Sequence, residues 1–179
     1  QAQWRHVFRL LPPTMAGVVV GYFGLRVVND AQLRPIIGII VLVMLGLNYW
    51  WTRAGGEDRP VPTQWWFSAG AGFMVGVLTM MANAAGPIIV LYLLSMRLPK
   101  LQFVGTSAWY FFIINWFKVP FSANLKLMTF ESVKLDLMML PFIFLGVVAG
   151  ILILKRIPQK TFNVVVQILA AAAAVKLLF

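Results

Sequence analysis

Nine residues of this sequence combine the types and spacing needed to hold a small anion. Asn83, Ala84, Ala85, Gly86 and Pro87 fall inside an uncharged apolar run, and Thr106, Ser107, Asn115 and Lys118 fall in the next one. The chemistry they suit is recognition rather than bond making. Asn83 and Asn115 bring amide donors, Thr106 and Ser107 hydroxyls, and Lys118 an ammonium. Pro87 donates no backbone hydrogen bond and disfavours helical geometry at Gly86, so a helix breaks there and a second one starts. The start of that helix aims backbone N–H groups at the break, which favours a negative ligand. An anion taken out of water needs several donors at once. The expectation is an anion at "NAAGP", with Thr106, Ser107 and Lys118 brought alongside.

Each of these residues also has a plainer role open to it. Thr106 and Ser107 can bond back to the preceding turn of their own helix. Lys118 lies two residues before Pro120 and can snorkel to the membrane interface. The Asn83 stretch can be a proline-kinked span whose amide caps a neighbour. Trp109 and Trp116 suit packing or an interfacial belt, Tyr92 either the break or lipid, and Asp136 pairing with solvent or a basic loop, at a helix start where acids are favoured.

Chemistry of other kinds lacks its residues. The chain has one His and no Cys, so no disulfide, thiolate metal site or zinc centre can be built from it, and no cofactor is expected. The apolar segments hold no His, Asp or Glu cluster and no nucleophile with a base, which disfavours an enzyme.

The elements that must position these residues are membrane helices. The chain is 61% hydrophobic and 11% charged, with a mean hydropathy of +0.86, and apolar segments recur from end to end. The pattern predicts seven segments, at 10–28, 35–51, 65–82, 87–96, 101–118, 135–154 and 162–179, judged against about 20 apolar residues per span. The linkers between them carry most of the charge together with Pro and Gly. Trp50 and Trp51 close one segment and Trp65 and Trp66 open the next, as at one membrane interface. Trp4 to Arg9 reads as a juxtamembrane loop. A net charge of +10 is spread singly or in pairs between apolar runs, unlike a phosphate-binding face, so nucleic acid is not an expected partner. The bilayer is.

A repeat organises the segments. Shifted by 129 positions, "LLPPTMAGVVVGYFGLR" (10–26) superposes on "MLPFIFLGVVAGILILK" (139–155), with Leu11 on Leu140, Pro12 on Pro141, Gly17 on Gly146 and Gly21 on Gly150. Glycines four apart share a helix face and admit a neighbouring backbone, so Gly17/Gly21 and Gly146/Gly150 are expected packing seams. Internal repeats are typical of secondary transporters, whose sites lie between the halves. Residues 1–52 read as the end of a first repeat, 53–64 as a loop and 65–179 as a second repeat. The same offset implies about seventy residues of the first repeat upstream of Gln1.

From Trp65 to Met96 the chain runs 32 residues without a charge. One straight helix of that length would measure about 48 Å against a hydrocarbon core of about 30 Å, and two full spans would need about 40 residues. A broken or re-entrant pair fits, and such backbone is tolerated only where it is buried in protein or lines a cavity.

The order of pieces resembles the second half of the TauE/SafE sulfite-exporter family. They are "NAAGPIIVLYLL" (83–94), "LPKLQFVGTSAWYFFIINWFKVPF" (98–121), "TFESVKLDLMMLPFIFLGVVAGILI" (129–153) and "RIPQKTFNVVVQILAAA" (156–172), with residues 4–51 like the end of the first repeat. One departure is at the turn, where many relatives carry a run of glycines and this chain has Asn83-Ala84-Ala85. The resemblance implies secondary transport of small anions, such as sulfite, organosulfonates or related sulfur and carbon acids, across a bacterial inner membrane. A channel using the same break as a filter is the alternative.

If residues 65–96 enter and leave by one face, the repeats are inverted. Arg5, Arg9, Arg53, Arg59, Arg97, Lys100, Lys155, Arg156 and Lys160 then share the cytoplasmic side, against Arg26, Arg34, Lys118, Lys126 and Lys134. The expectation is an all-α polytopic membrane protein, with a small anion, a coupling proton or sodium ion and a homo-oligomer as candidate partners.

Overall fold

The computed structural model describes residues 2–25, 46, 64–83 and 85–178. The segment expected at 35–51, with Trp50 and Trp51, lies outside them save for Gly46, as do residues 53–63 of the loop and Ala84. Six helices account for nearly all of the described chain: α1 (Trp4–Gly24), α2 (Trp65–Ala82), α3 (Gly86–Ser95), α4 (Lys100–Asn124), α5 (Phe130–Arg156) and α6 (Gln159–Leu178).

The first helix begins earlier than hydropathy suggests. Trp4 to Arg9 is helical rather than a loop, because Val7 packs into the core and draws the first turns in with it. Helices α1, α2 and α5 are each long and apolar enough to cross a membrane, whereas α3 is apolar but short. At about 1.5 Å per residue α2 measures roughly 27 Å and α3 roughly 15 Å. Helix α4 has 25 residues, but Gln102, Asn115 and Lys118 dilute its apolar character.

Contacts fix the direction of each helix. Gly72 meets Leu10 and Pro13, Gly76 meets Thr14 and Val18, and Gly24 meets Met81, so α1 and α2 run parallel. The Gln3 amide donates to Thr106 Oγ1 at 2.9 Å and Tyr22 Oη donates to Asn124 Oδ1 at 2.7 Å, so α4 runs the same way. Helix α3 doubles back from the end of α2, bringing Tyr92 beside Ser68. Lys100 Nζ reaches the carbonyl of Lys155 at 3.3 Å, and the Lys100 amide donates to Gln159 Oε1 at 2.8 Å. Helix α5 therefore ends, and α6 starts, where α4 starts. Helices α1 and α5, matched by the 129-residue offset, point in opposite directions. Arg5, Arg9, Arg97, Lys100, Lys155, Arg156 and Lys160 gather at one end of the bundle.

The α1–α2 pair is held by small residues on both sides. A Cβ added to Gly17 would run into the Phe73 carbonyl, one on Gly21 would sit 2.8 Å from the Val77 carbonyl, and one on Gly76 would strike the carbonyl of Thr14. Only glycine admits backbones this close. Gly72 and Gly76, four apart, are the second half of this seam, which the sequence reading did not single out. The seam expected at Gly146 and Gly150 is not formed among the described residues. A Cβ at either position meets nothing within 4 Å, and α5 buries none of its residues. Its large apolar side chains, from Phe130 to Ile153, face outward instead. Motif alone cannot make a seam, because the energy lies in the facing backbone.

Candidate functional site

Helix α2 stops at Ala82 because Asn83 takes the left-handed conformation, φ 52° and ψ 27°, and its amide N–H turns back to the Leu78 carbonyl. Asn is among the residues that tolerate this region best. Ala85 is buried and leads into α3, which carries Pro87 in its first turn, where the missing N–H costs nothing. The break between α2 and α3 thus follows from local chemistry at both of its ends.

Lys118 is aimed at this break. Its ammonium donates to the Thr79 carbonyl at 2.8 Å, to Thr79 Oγ1 at 3.3 Å and to Asn83 Oδ1 at 3.0 Å. The positive charge therefore rests on the C-terminal end of α2, where the helix dipole welcomes a cation. An ammonium has no acceptor, so Asn83 must present its oxygen to Lys118 and its NH2 donors elsewhere. The side chain turns to the end of α2.

A cavity of about 640 Å³ opens at this point, lined by Thr79, Asn83, Asn115, Lys118, Ser122 and Asp136 among others. Asn115, Lys118 and Ser122 occupy one face of α4 at i, i+3 and i+7. The lining combines an ammonium, two amides and two hydroxyls with one carboxylate. Its size suits a small ligand with some water.

The structure brings together three of the nine residues expected at the site, Asn83, Asn115 and Lys118. Gly86 and Pro87 adjoin the break without lining the cavity, and Ala85 is enclosed in the core. Thr106 and Ser107 are placed elsewhere. Twelve residues of helix separate Thr106 from Lys118, about 18 Å. Thr106 is fully buried and accepts from the Gln3 amide, while Ser107 Oγ donates to the Phe103 carbonyl at 2.9 Å. Tyr92 is buried rather than lipid-facing, and its hydroxyl meets Ser68 Oγ at 2.9 Å. Sequence reading missed Thr79, Ser122 and Asp136 as cavity residues. Thr79 lies one turn before Asn83, and Ser122 one turn after Lys118, so the helical period held a signal for both. Asp136 had none, because it comes from a different helix.

The family described as Sulfite exporter TauE/SafE matches residues 1–177. The chain belongs to this family of membrane transporters. A relative from Comamonas testosteroni, described as "Probable inner membrane transporter protein TsaS", is 26% identical over 182 residues, covering 99% of this chain and 73% of the relative. No solved structure matches the chain. TauE/SafE membership agrees with what the helices show, apolar spans around a polar cavity.

Proposed function

We propose that this TauE/SafE protein is a secondary transporter that carries small sulfur oxyanions, sulfite or organosulfonates, across a bacterial inner membrane. The observation that carries the reading is the Lys118 ammonium held against Asn83 at the break, on a cavity that Asn115 also lines. A family of sulfite exporters supplies the substrate class, and a cationic, donor-rich cavity is what such an anion requires. An inverted pair of repeats accords with the opposite directions of α1 and α5. The basic end of the bundle would then be cytoplasmic.

Radioactive sulfite uptake into vesicles holding the full chain tests this. Uptake should saturate with sulfite concentration, whereas flux that stays linear would favour a channel. Asn83→Gly keeps the left-handed turn and removes the amide, so it isolates recognition from folding. It should weaken apparent sulfite affinity by about tenfold to a hundredfold, the value of one hydrogen bond to a charged group. Unchanged affinity would remove Asn83 from the site.

A further inference from the structure

We propose that the turn between α5 and α6 binds an anionic phospholipid, with Lys155, Arg156 and Lys160 holding the phosphate headgroup and the outer face of α5 carrying the acyl chains. This surface lies at the other end of α5 from the cavity and does not depend on what the protein transports.

Charge is the first observation. At the start of α5, Lys118, Lys126 and Lys134 share their surroundings with the acids Glu131 and Asp136. At its end Lys155, Arg156 and Lys160 fall within six residues, Lys100 lies against them, and no acid stands at this end of the bundle among the described residues. The stretch that leads into α2 carries Arg53 and Arg59 against Glu57 and Asp58, so it adds no net charge. Lys155, Arg156 and Lys160 are exposed, and among the described residues their side chains meet no acid and no acceptor.

The turn that carries these cations is fixed. Lys100 Nζ donates to the carbonyls of Lys155 and Ile157, the Lys100 amide donates to Gln159 Oε1 at 2.8 Å, and Gln159 Nε2 donates to Asn163 Oδ1 at 2.9 Å. The start of α4 thereby clamps the end of α5 to the start of α6. The clamp also sets the sign of the local field. The last carbonyls of a helix form its negative end, which would repel a phosphate, and here the Lys100 ammonium covers the one at Lys155. The first turn of α6 holds no acid either.

Position favours a lipid over a phosphate free in water. The apolar run of α5 ends at Leu154 and the cations follow at once, as where a span meets the headgroups. Exposed indoles at the starts of α1 and α2, those of Trp4, Trp65 and Trp66, place an interfacial belt at the same end. Leu152 precedes Lys155 and Arg156 by three and four residues and so lies on their side of the helix. Val148 and Leu145 continue that stripe, and all three are exposed. A soluble phosphate would use the charges alone, whereas a phospholipid uses the charges and the apolar track beneath them. Each cation near an anionic membrane surface raises binding by about fivefold, so two or three acting on one headgroup give a preference of about twentyfold to a hundredfold over a zwitterionic lipid.

The chain has no Cys, so a fluorophore can be placed at one chosen position. In the test, the full chain with Leu152→Cys is labelled and reconstituted in phosphatidylcholine vesicles, and quenching by brominated phosphatidylglycerol is compared with quenching by brominated phosphatidylcholine. Phosphatidylglycerol should be preferred by about twentyfold to a hundredfold at low salt. The preference should shrink toward parity at about 1 M salt, where screening acts within about 3 Å. Combined Lys155→Gln, Arg156→Gln and Lys160→Gln exchanges should abolish it, while Lys155→Arg with Lys160→Arg should keep it. Equal quenching by the two lipids would overturn the proposal, as would a preference that survives the triple exchange or high salt. The salt series uses the native cations, so it decides the matter even if the triple variant does not fold. An equal preference at a label on Phe130→Cys, at the other end of α5, would assign the effect to the bilayer at large and remove the site. If inorganic phosphate abolishes the preference and chloride at the same ionic strength does not, the site belongs to a soluble phosphate and the lipid assignment falls.

Discussion

The two ends of the bundle use similar polar residues in opposite ways. Where α1, α2 and α4 begin, the polar groups close on one another: Gln3 with Thr106 and Gln102, and Tyr92 with His6 and Ser68. Further in, Tyr110 Oη meets Thr14 Oγ1 at 2.7 Å, and Thr14 in turn donates to the Leu10 carbonyl. Where the same helices end, Asn83, Asn115, Lys118, Ser122 and Asp136 border a cavity. In an apolar interior every polar group must find a partner. The first end finds its partners within the protein, and the second leaves room for a ligand. Residue type does not separate the two cases, for a buried threonine and a cavity threonine look alike in sequence.

Substitutions at the two ends should therefore move different measurements. The largest effect is expected from Lys118→Gln, which removes the cation from the cavity. Sulfite uptake by vesicles should fall by about tenfold to a hundredfold at matched protein level, the value of one hydrogen bond to a charged group, while Lys118→Arg retains a larger share because it keeps the charge. Full uptake by Lys118→Gln would mean that the cavity end is as structural as the other.

Thr106→Val should act on folding instead. It leaves the Gln3 amide N–H, half-buried, without its acceptor, a loss of about 1 kcal/mol that thermal unfolding in detergent would register. Uptake per folded molecule should stay at the wild-type level. A drop in sulfite affinity without a drop in stability would return Thr106 to the binding site.

The smallest effect belongs to Ser107→Ala. Its hydroxyl serves only the carbonyl one turn back among the bonds seen here, so stability should change by no more than about 0.5 kcal/mol and uptake should not change. A marked loss of either would show that this end of α4 does more than close its own hydrogen bonds.

Much of the local structure was legible before any coordinates. The helix break follows from Asn83, Gly86 and Pro87, because proline and left-handed geometry act within a few residues. The spans at 65–82 and 135–154 follow from hydropathy, because a bilayer forces backbone groups to bond within the segment, and the structure lengthens the second to Phe130–Arg156. Helix periodicity even placed Asn115 and Lys118 on one face. Other readings failed where partners are distant in sequence. The glycine pairs at 17/21 and 146/150 are the same motif, yet only the first meets a facing helix among the described residues.

What the sequence determined by itself was an all-helical membrane chain, broken at Asn83 to Pro87, with the ordered pieces of a TauE/SafE transporter. Only the tertiary structure decided that Lys118 turns to the break, that Thr106 and Ser107 serve the opposite end of the bundle, and that Asp136 joins the cavity. The physical reason is that a helix fixes which of its own residues share a face through short-range geometry. How that face is rotated, and what stands opposite it, is set by packing between helices many residues apart.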